Sequence, residues 1–257
     1  MRLVLGRLLS RAGRRVLGMA WTAKPSGGYS LTSAGGRDNI EMIYYMLQGY
    51  SYTMEAAAGV MGNVQAESGM NPWRWQSDRV NLSGGYGLFQ YTPASGYINL
   101  SGTTPNMSTT QTTAGATPQD GERQVDCYAT NELHKWVSTA WRSYWDTTTY
   151  SELYSKRSQW LQQWGSGSSI SMAQVAACTD IEAATFFHMA CFEGPAVPNL
   201  GPRFSNAKKI YEILGGIIPV PPPPVPPPTP PGSGLKWWLI HGLRNARDRG
   251  IGYLTYQ

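Results

Sequence analysis

The stretch AAAGVMG, residues 56–62, limits what this chain can build. Ala58, Gly59 and Gly62 leave one helix so thin that neighbouring elements can approach it closely. Thr53 is the expected N-cap, and Glu55 falls in the first turn, where a negative charge is favoured. Ala57, Val60, Met61 and Val64 form one apolar face. Positions 67 and 68 come next in that series, so Glu67 lies at the end of the stripe. Gly69 suits a left-handed cap, and Pro72 stops the helix from resuming. The sequence therefore builds a fixed helix end that presents one partly desolvated carboxyl.

Desolvation disfavours the charged form of a carboxyl and raises its pKa. An acid still protonated near neutral pH can donate a proton in catalysis. Taken on this helix alone, a solvated helix-end glutamate is the plainer alternative.

Further elements follow the same signals. The segment DNIEMIYYMLQGY places Ile40, Ile43, Tyr44 and Leu47 on one helical face. Residues 82–92 read as a tight turn and a short strand. Residues 101–119 are polar and of low complexity, an expected surface insertion. Val125, Ala129, Leu133, Trp136, Val137 and Ala140 predict one helix. SMAQ at 171–174 and TDIE at 179–182 fit the capping box, the second helix ending at Gly194-Pro195. A last helix is expected over about 202–214, stopping at Gly215-Gly216.

The ends of the chain differ from its middle. Net charge is +5, and Arg2, Arg7, Arg11, Arg14, Arg15 and Lys24 meet no acid. The body is thus near neutral and lacks the basic face of a nucleic-acid-binding domain. Residues 1–24 predict a basic amphipathic segment, too interrupted by arginine for a membrane span or a secretory leader. Residues 25–36 are a linker by composition. The catalytic domain is expected over 37–216. A proline-rich spacer follows at 217–234, extended and fairly stiff. A Trp-rich anchor at 235–257 is expected to meet a partner or a membrane surface. Cys127, Cys178 and Cys191 are expected as buried small hydrophobes, with a Cys178–Cys191 disulfide left open. His134, His188 and His241 form no motif for a metal, so no cofactor is expected.

Two motifs in order carry a resemblance. AAAGVMGNVQAESGMNP (56–72) followed by GGYGLFQYTPASGYINL (84–100) is similar to the phage tail lysozyme family, peptidoglycan-degrading domains carried on phage tails. FFHMACFEGPAVPN (186–199) resembles that family's closing helix. The wider lysozyme and lytic-transglycosylase pattern, Glu-Ser-x-x-x-Pro and then Gly-Leu-x-Gln, is also met. The resemblance covers about residues 37–215, apart from the 101–119 insertion. It implies a mainly α, α+β lysozyme-like fold with a small β element lining a glycan cleft. It implies Glu67 as the catalytic acid and Gly87, Leu88 and Gln90 on the strand across the cleft, with Gln90 a sugar contact. Ser68 supports the helix end, and Asn71 and Tyr91 are lesser substrate contacts. Where the family has Arg after the late glutamate, this chain has Gly194, and where the strand often ends in Trp it has Tyr91.

Cleavage of a β-1,4 glycosidic bond needs a proton on the leaving oxygen, and hydrolysis adds a second carboxylate. Asp78 and Glu193 are the candidates, against a turn-capping loop residue and a helix-end ion pair respectively. Without either, attack by the sugar's own 6-hydroxyl gives lytic transglycosylation. The expected setting is a virion tail or tail tip acting at the host cell wall. The partners there are peptidoglycan glycan strands and other tail proteins, the latter met through residues 1–24 and 235–257. The other classes are a non-catalytic tail structural protein, a bacterial wall-remodelling enzyme and a nucleic-acid-binding protein.

Overall fold

A computed structural model describes residues 20–145, 156, 160 and 169–217. The basic residues up to 19, the proline-rich run and the Trp-rich tail lie outside the described residues. The described elements are α1 (Ala34–Gly49), α2 (Met54–Ser68), a 3-10 turn (Gln76–Asp78), α3 (Ala94–Ser101), α4 (Asp120–Ala129) and α5 (Arg142–Trp145). They continue with α6 (Met172–Ala176), α7 (Ile181–His188), a π turn (Met189–Glu193) and α8 (Leu200–Ile217). The fold is mainly helical.

The thin helix is the hub. α2 packs against α8, α7 and α1. A Cβ built on Gly59 would lie 2.6 Å from the Ala184 Cβ on α7, and one on Gly62 would lie 2.7 Å from the Ala207 Cβ on α8. Neither helix could sit where it does against a larger residue. Thr53 caps α2 by accepting from the Ala56 N–H at 3.0 Å, and its own N–H donates to the Ala176 carbonyl at 2.9 Å. Gly69 closes the helix at φ +60°.

The expected β element is reduced, among the described residues, to two isolated bridges, Trp75–Tyr86 and Tyr86–Tyr91. Gly87 at φ +81° and Gln90 at φ +44° turn the chain too sharply for a strand. The tight turn is there, closed by the Tyr86–Tyr91 bridge and fastened to the loop after α2 by the Trp75–Tyr86 bridge.

The long helix expected over 125–140 ends at Ala129. Asn131 and His134 take left-handed conformations, which asparagine tolerates well. The Asn131 Oδ1 accepts from the Trp136 N–H at 3.2 Å, so side-chain bonding replaces the helical ladder. SMAQ forms its capping box, but α7 is capped by Asp180, which accepts from Glu182 and Ala183, and not by Thr179. α8 begins two residues before its expected start and runs through Gly215-Gly216. All three cysteines are free thiols inside the core. Burial pushes Cys178 and Cys191 up to about 12.

Residues 21–29, glycine-poor only at their start, form a packed strap. Trp21 is 5% exposed and lies against Gly121 of α4. Thr22 and Asn39 exchange backbone and amide bonds of 2.9 and 2.8 Å. The Tyr29 N–H donates to the Gly69 carbonyl at 2.7 Å. A Cβ on Gly28 would come within 2.6 Å of the Gly69 Cα, so two glycine backbones touch. The insertion at 101–119 is also tied down. The Trp75 indole donates to the Asn106 carbonyl at 2.6 Å, and Asn106 is fully buried.

Candidate active site

Glu67 ends α2 with its side chain 24% exposed and turned toward a cleft of about 270 Å³. The loop after α2 contributes Arg74, Gln76 and Ser77 to that cleft, and the turn contributes Gln90 and Thr92. Lys135, Glu193 and Pro195 line it as well.

Glu67 is held from behind. The Arg203 guanidinium pairs with its Oε1 while donating to the Asn63 Oδ1 at 2.8 Å and the Pro198 carbonyl at 2.9 Å. Asn63 lies one turn before Glu67 on α2 and donates in turn to the Gly59 and Thr185 carbonyls, both at 3.0 Å. Arg203 is 4% exposed, so its fork is fixed by partners on all sides. Burial raises the Glu67 pKa above the usual carboxylate range, and the negative charge of Glu193 adds to the rise. Arg203 opposes both through charge and hydrogen bonding, and His188, when protonated, acts in the same direction.

Glu193 closes the π turn with its side chain 6% exposed. Its Oε1 lies 3.2 Å from the Nε2 of the fully buried His188. Gly194 then takes φ +58° and turns the chain away, its N–H donating to the Met189 carbonyl at 2.9 Å.

Asp78 has other partners. Its Oδ1 accepts from the Gly27 N–H at 2.8 Å and meets the Arg74 Nη1 at 2.9 Å. Ser77 and Asp78 both adopt positive φ, a conformation costing about 1–2 kcal/mol per residue. The bonds of the Asp78 carboxylate help to hold that turn, which is the capping role of a loop aspartate.

The other expected site residues divide between wall and core. Gln90 lines the cleft, but its amide donates to the Arg74 and Gly87 carbonyls at 3.1 and 2.9 Å. Gly87 leaves room for Gln124, whose Oε1 would be 2.4 Å from a Cβ there. Ser68 donates to the Val64 carbonyl at 3.0 Å and braces the last turn of α2. Asn71 is fully buried and donates to the Lys24 and Gly27 carbonyls, both at 2.8 Å, so it binds the strap. Tyr91 is 1% exposed, stacks on Tyr97 and donates to the Gln124 carbonyl at 2.7 Å. Both are core residues.

Arg203, Lys135 and Arg74 carry no motif of their own, and His188 lies within the closing-helix motif without a role that the motif assigns to it. Arg203 is one cation in an otherwise ordinary amphipathic helix, 136 residues from the glutamate it meets. Gly194 stands where the resemblance has an arginine, and the guanidinium beside Glu67 is that of Arg203 on α8. Lys135 sits with its Nζ 5.2 Å from the Phe192 ring centroid, a cation over an aromatic face at the cleft.

A sequence model of the family described as phage tail lysozyme matches residues 38–214. Among curated proteins, "Morphogenesis protein 1" of Bacillus phage B103 is 44% identical over 62 residues. That stretch is 24% of this chain and 17% of the relative, so the match spans a minor part of the relative's length.

Proposed function

Because the chain belongs to the phage tail lysozyme family, we propose that it is a virion-associated enzyme that cleaves the β-1,4 MurNAc–GlcNAc bond of peptidoglycan during cell entry. The observation that carries this reading is Glu67, a half-buried carboxyl with a raised pKa, fixed at a helix end and facing a cleft. In that cleft Glu67 donates the proton to the leaving glycosidic oxygen. Glu193 is the second carboxylate, since it lines the same cleft. Its negative charge also favours the protonated form of Glu67, which splits acid and base roles between two carboxyls. Asp78 is better suited to holding the loop and the strap. The part of the 1–24 segment that precedes the packed strap, together with 235–257, tethers the enzyme to other tail proteins, and the proline-rich run sets its reach.

The experiment is mass spectrometry of fragments from purified peptidoglycan digested with the full chain. Reducing-end muramic acid is expected. Anhydro ends would mean that the sugar's 6-hydroxyl attacks and Glu193 has another role. Intact peptidoglycan would leave a binding protein of the tail. For the tether, a chain of residues 20–217 should digest wall fragments as the full chain does, yet be missing from assembled particles.

A further inference from the structure

We propose that His188 is a positioning residue for Glu193, aiming its carboxylate into the cleft from the end of a buried chain that runs Tyr52, Tyr128, His188, Glu193. The proposal rests on reading this cleft as a peptidoglycan-cleaving site.

The helix geometry is the first argument. His188 and Glu193 are five residues apart, and in an α-helix five residues amount to about 500°, which leaves side chains facing well apart. The chain instead makes a π turn over Met189–Glu193. A turn bonded i to i+5 brings residues five apart to the same side. The π turn is thus what lets the imidazole reach the carboxylate.

The second argument is the chain of hydroxyls behind the ring. The Tyr52 hydroxyl donates to the Tyr128 oxygen at 3.4 Å, and that oxygen lies 3.0 Å from the His188 Nδ1. The Tyr128 hydrogen needs an acceptor in this buried chain, and Tyr52 is a donor to it, so the hydrogen goes to a bare Nδ1. The His188 proton then resides on Nε2 and is donated to Glu193. Protonating both ring nitrogens would leave the Tyr128 hydrogen facing two donors. One tautomer satisfies every group in the chain.

The third argument is rigidity. His188 is fully buried, stacks on Phe192 at 5.2 Å and meets Tyr128 edge-on at 5.1 Å. A ring so enclosed has one orientation. It fixes a carboxylate that would otherwise swing at the end of a flexible glutamate stem.

The test uses the full chain. Long-range 1H–15N correlation spectra should show His188 protonated at Nε2 and bare at Nδ1. On purified peptidoglycan, His188→Phe should lower kcat about tenfold to a hundredfold with KM nearly unchanged, the effect of a misplaced catalytic group. His188→Gln, which returns a donor near the Nε2 position, should recover much of that loss. If His188→Phe does not fold, Tyr128→Phe removes a single oxygen and should mix the two tautomers while lowering kcat. Proton on Nδ1, equal losses in the Phe and Gln variants, or kcat unaltered in His188→Phe would overturn the proposal. If wild-type protein and Glu67→Gln digest peptidoglycan equally, or neither does, the reading of the cleft fails, whatever the tautomer. If wild type alone is active and His188→Phe matches it, only the role of His188 fails.

Discussion

Arg203 reaches Glu67 from a helix that begins 133 residues later in the chain, and does so with a side chain only 5% exposed. A buried guanidinium beside a carboxyl favours its charged form and so works against the proton that the proposed role of Glu67 requires. Here burial and the Glu193 charge outweigh it, and the Glu67 pKa stays raised. Arg203 fixes the aim of the carboxyl and limits how far its pKa rises.

Glu67→Gln should keep the fold and lower peptidoglycan cleavage by about 10²–10⁴-fold, the usual worth of a positioned general acid. Turbidity clearing of wall suspensions reads the loss, and a thermal melt reads the fold. The melt carries a sign as well. In the folded wild type Glu67 binds its proton more tightly than in the unfolded chain, where it takes the ordinary glutamate value. Its contribution to stability is therefore full below that value and is lost as pH rises through the raised folded value. The Gln variant should lack this decline, so its melting temperature should gain on wild type toward neutral pH.

Arg203→Met should shift the alkaline limb of the kcat/KM profile to higher pH. The guanidinium lowers the Glu67 pKa, so its removal keeps the acid protonated longer. The variant also strands the Asn63 and Pro198 oxygens, at about 1–3 kcal/mol for each buried group left unpaired. An unmoved or lowered alkaline limb in a folded variant would argue against Glu67 as the group that sets it.

Asp78→Ala should lower the melting temperature by several degrees and change kcat by less than about tenfold. Its carboxylate loses the Gly27 N–H and the Arg74 guanidinium, and the left-handed turn at 77–78 loses its brace. A near-complete loss of activity with an unchanged melt would move the second-carboxylate role to Asp78.

Gly62→Ala should destabilise the domain by about 1–3 kcal/mol through overpacking. The new methyl would lie 2.7 Å from both the Ala207 Cβ and the Arg203 carbonyl oxygen. α8 has to move, and Arg203 moves with it. Activity measured well below the melting temperature should therefore fall even where the protein remains folded. A wild-type rate in such a variant would show that Glu67 does not depend on the placement of α8.

α2 was legible almost residue by residue, because each signal in it is local. Thr53 caps it, small residues thin it, and Gly69 closes it. The same locality explains where the reading stops. The stripe 125–140 is periodic, but Asn131 and His134 break the backbone without breaking the hydrophobic pattern. Residues 25–36 have the composition of a linker, yet Gly28 is there so that the strap can lie against other backbone, and Gly27 turns the strap at φ +68°. Within the cleft, Glu67, Glu193 and Gln90 were visible through motifs. Arg203 was not, since its partner is far away in the chain, and His188, although inside the closing-helix motif, is notable only through a contact made across a π turn. Asn71 and Tyr91 read as polar contacts because sequence does not report that a hydroxyl or an amide is already spent inside the core.

The contact of Gly28 with Gly69 has a mechanical side. Everything that precedes residue 20 connects to the folded domain through the strap, and the strap is sewn to the chain just past Glu67, to Gly69 by the Tyr29–Gly69 bond and to Asn71 by its amide. Traction applied at the N-terminal end of the described chain is thus delivered to the helix terminus that aims the acid, with no side chain at either glycine to cushion it. An enzyme hung from that end would carry its load at its most position-sensitive point.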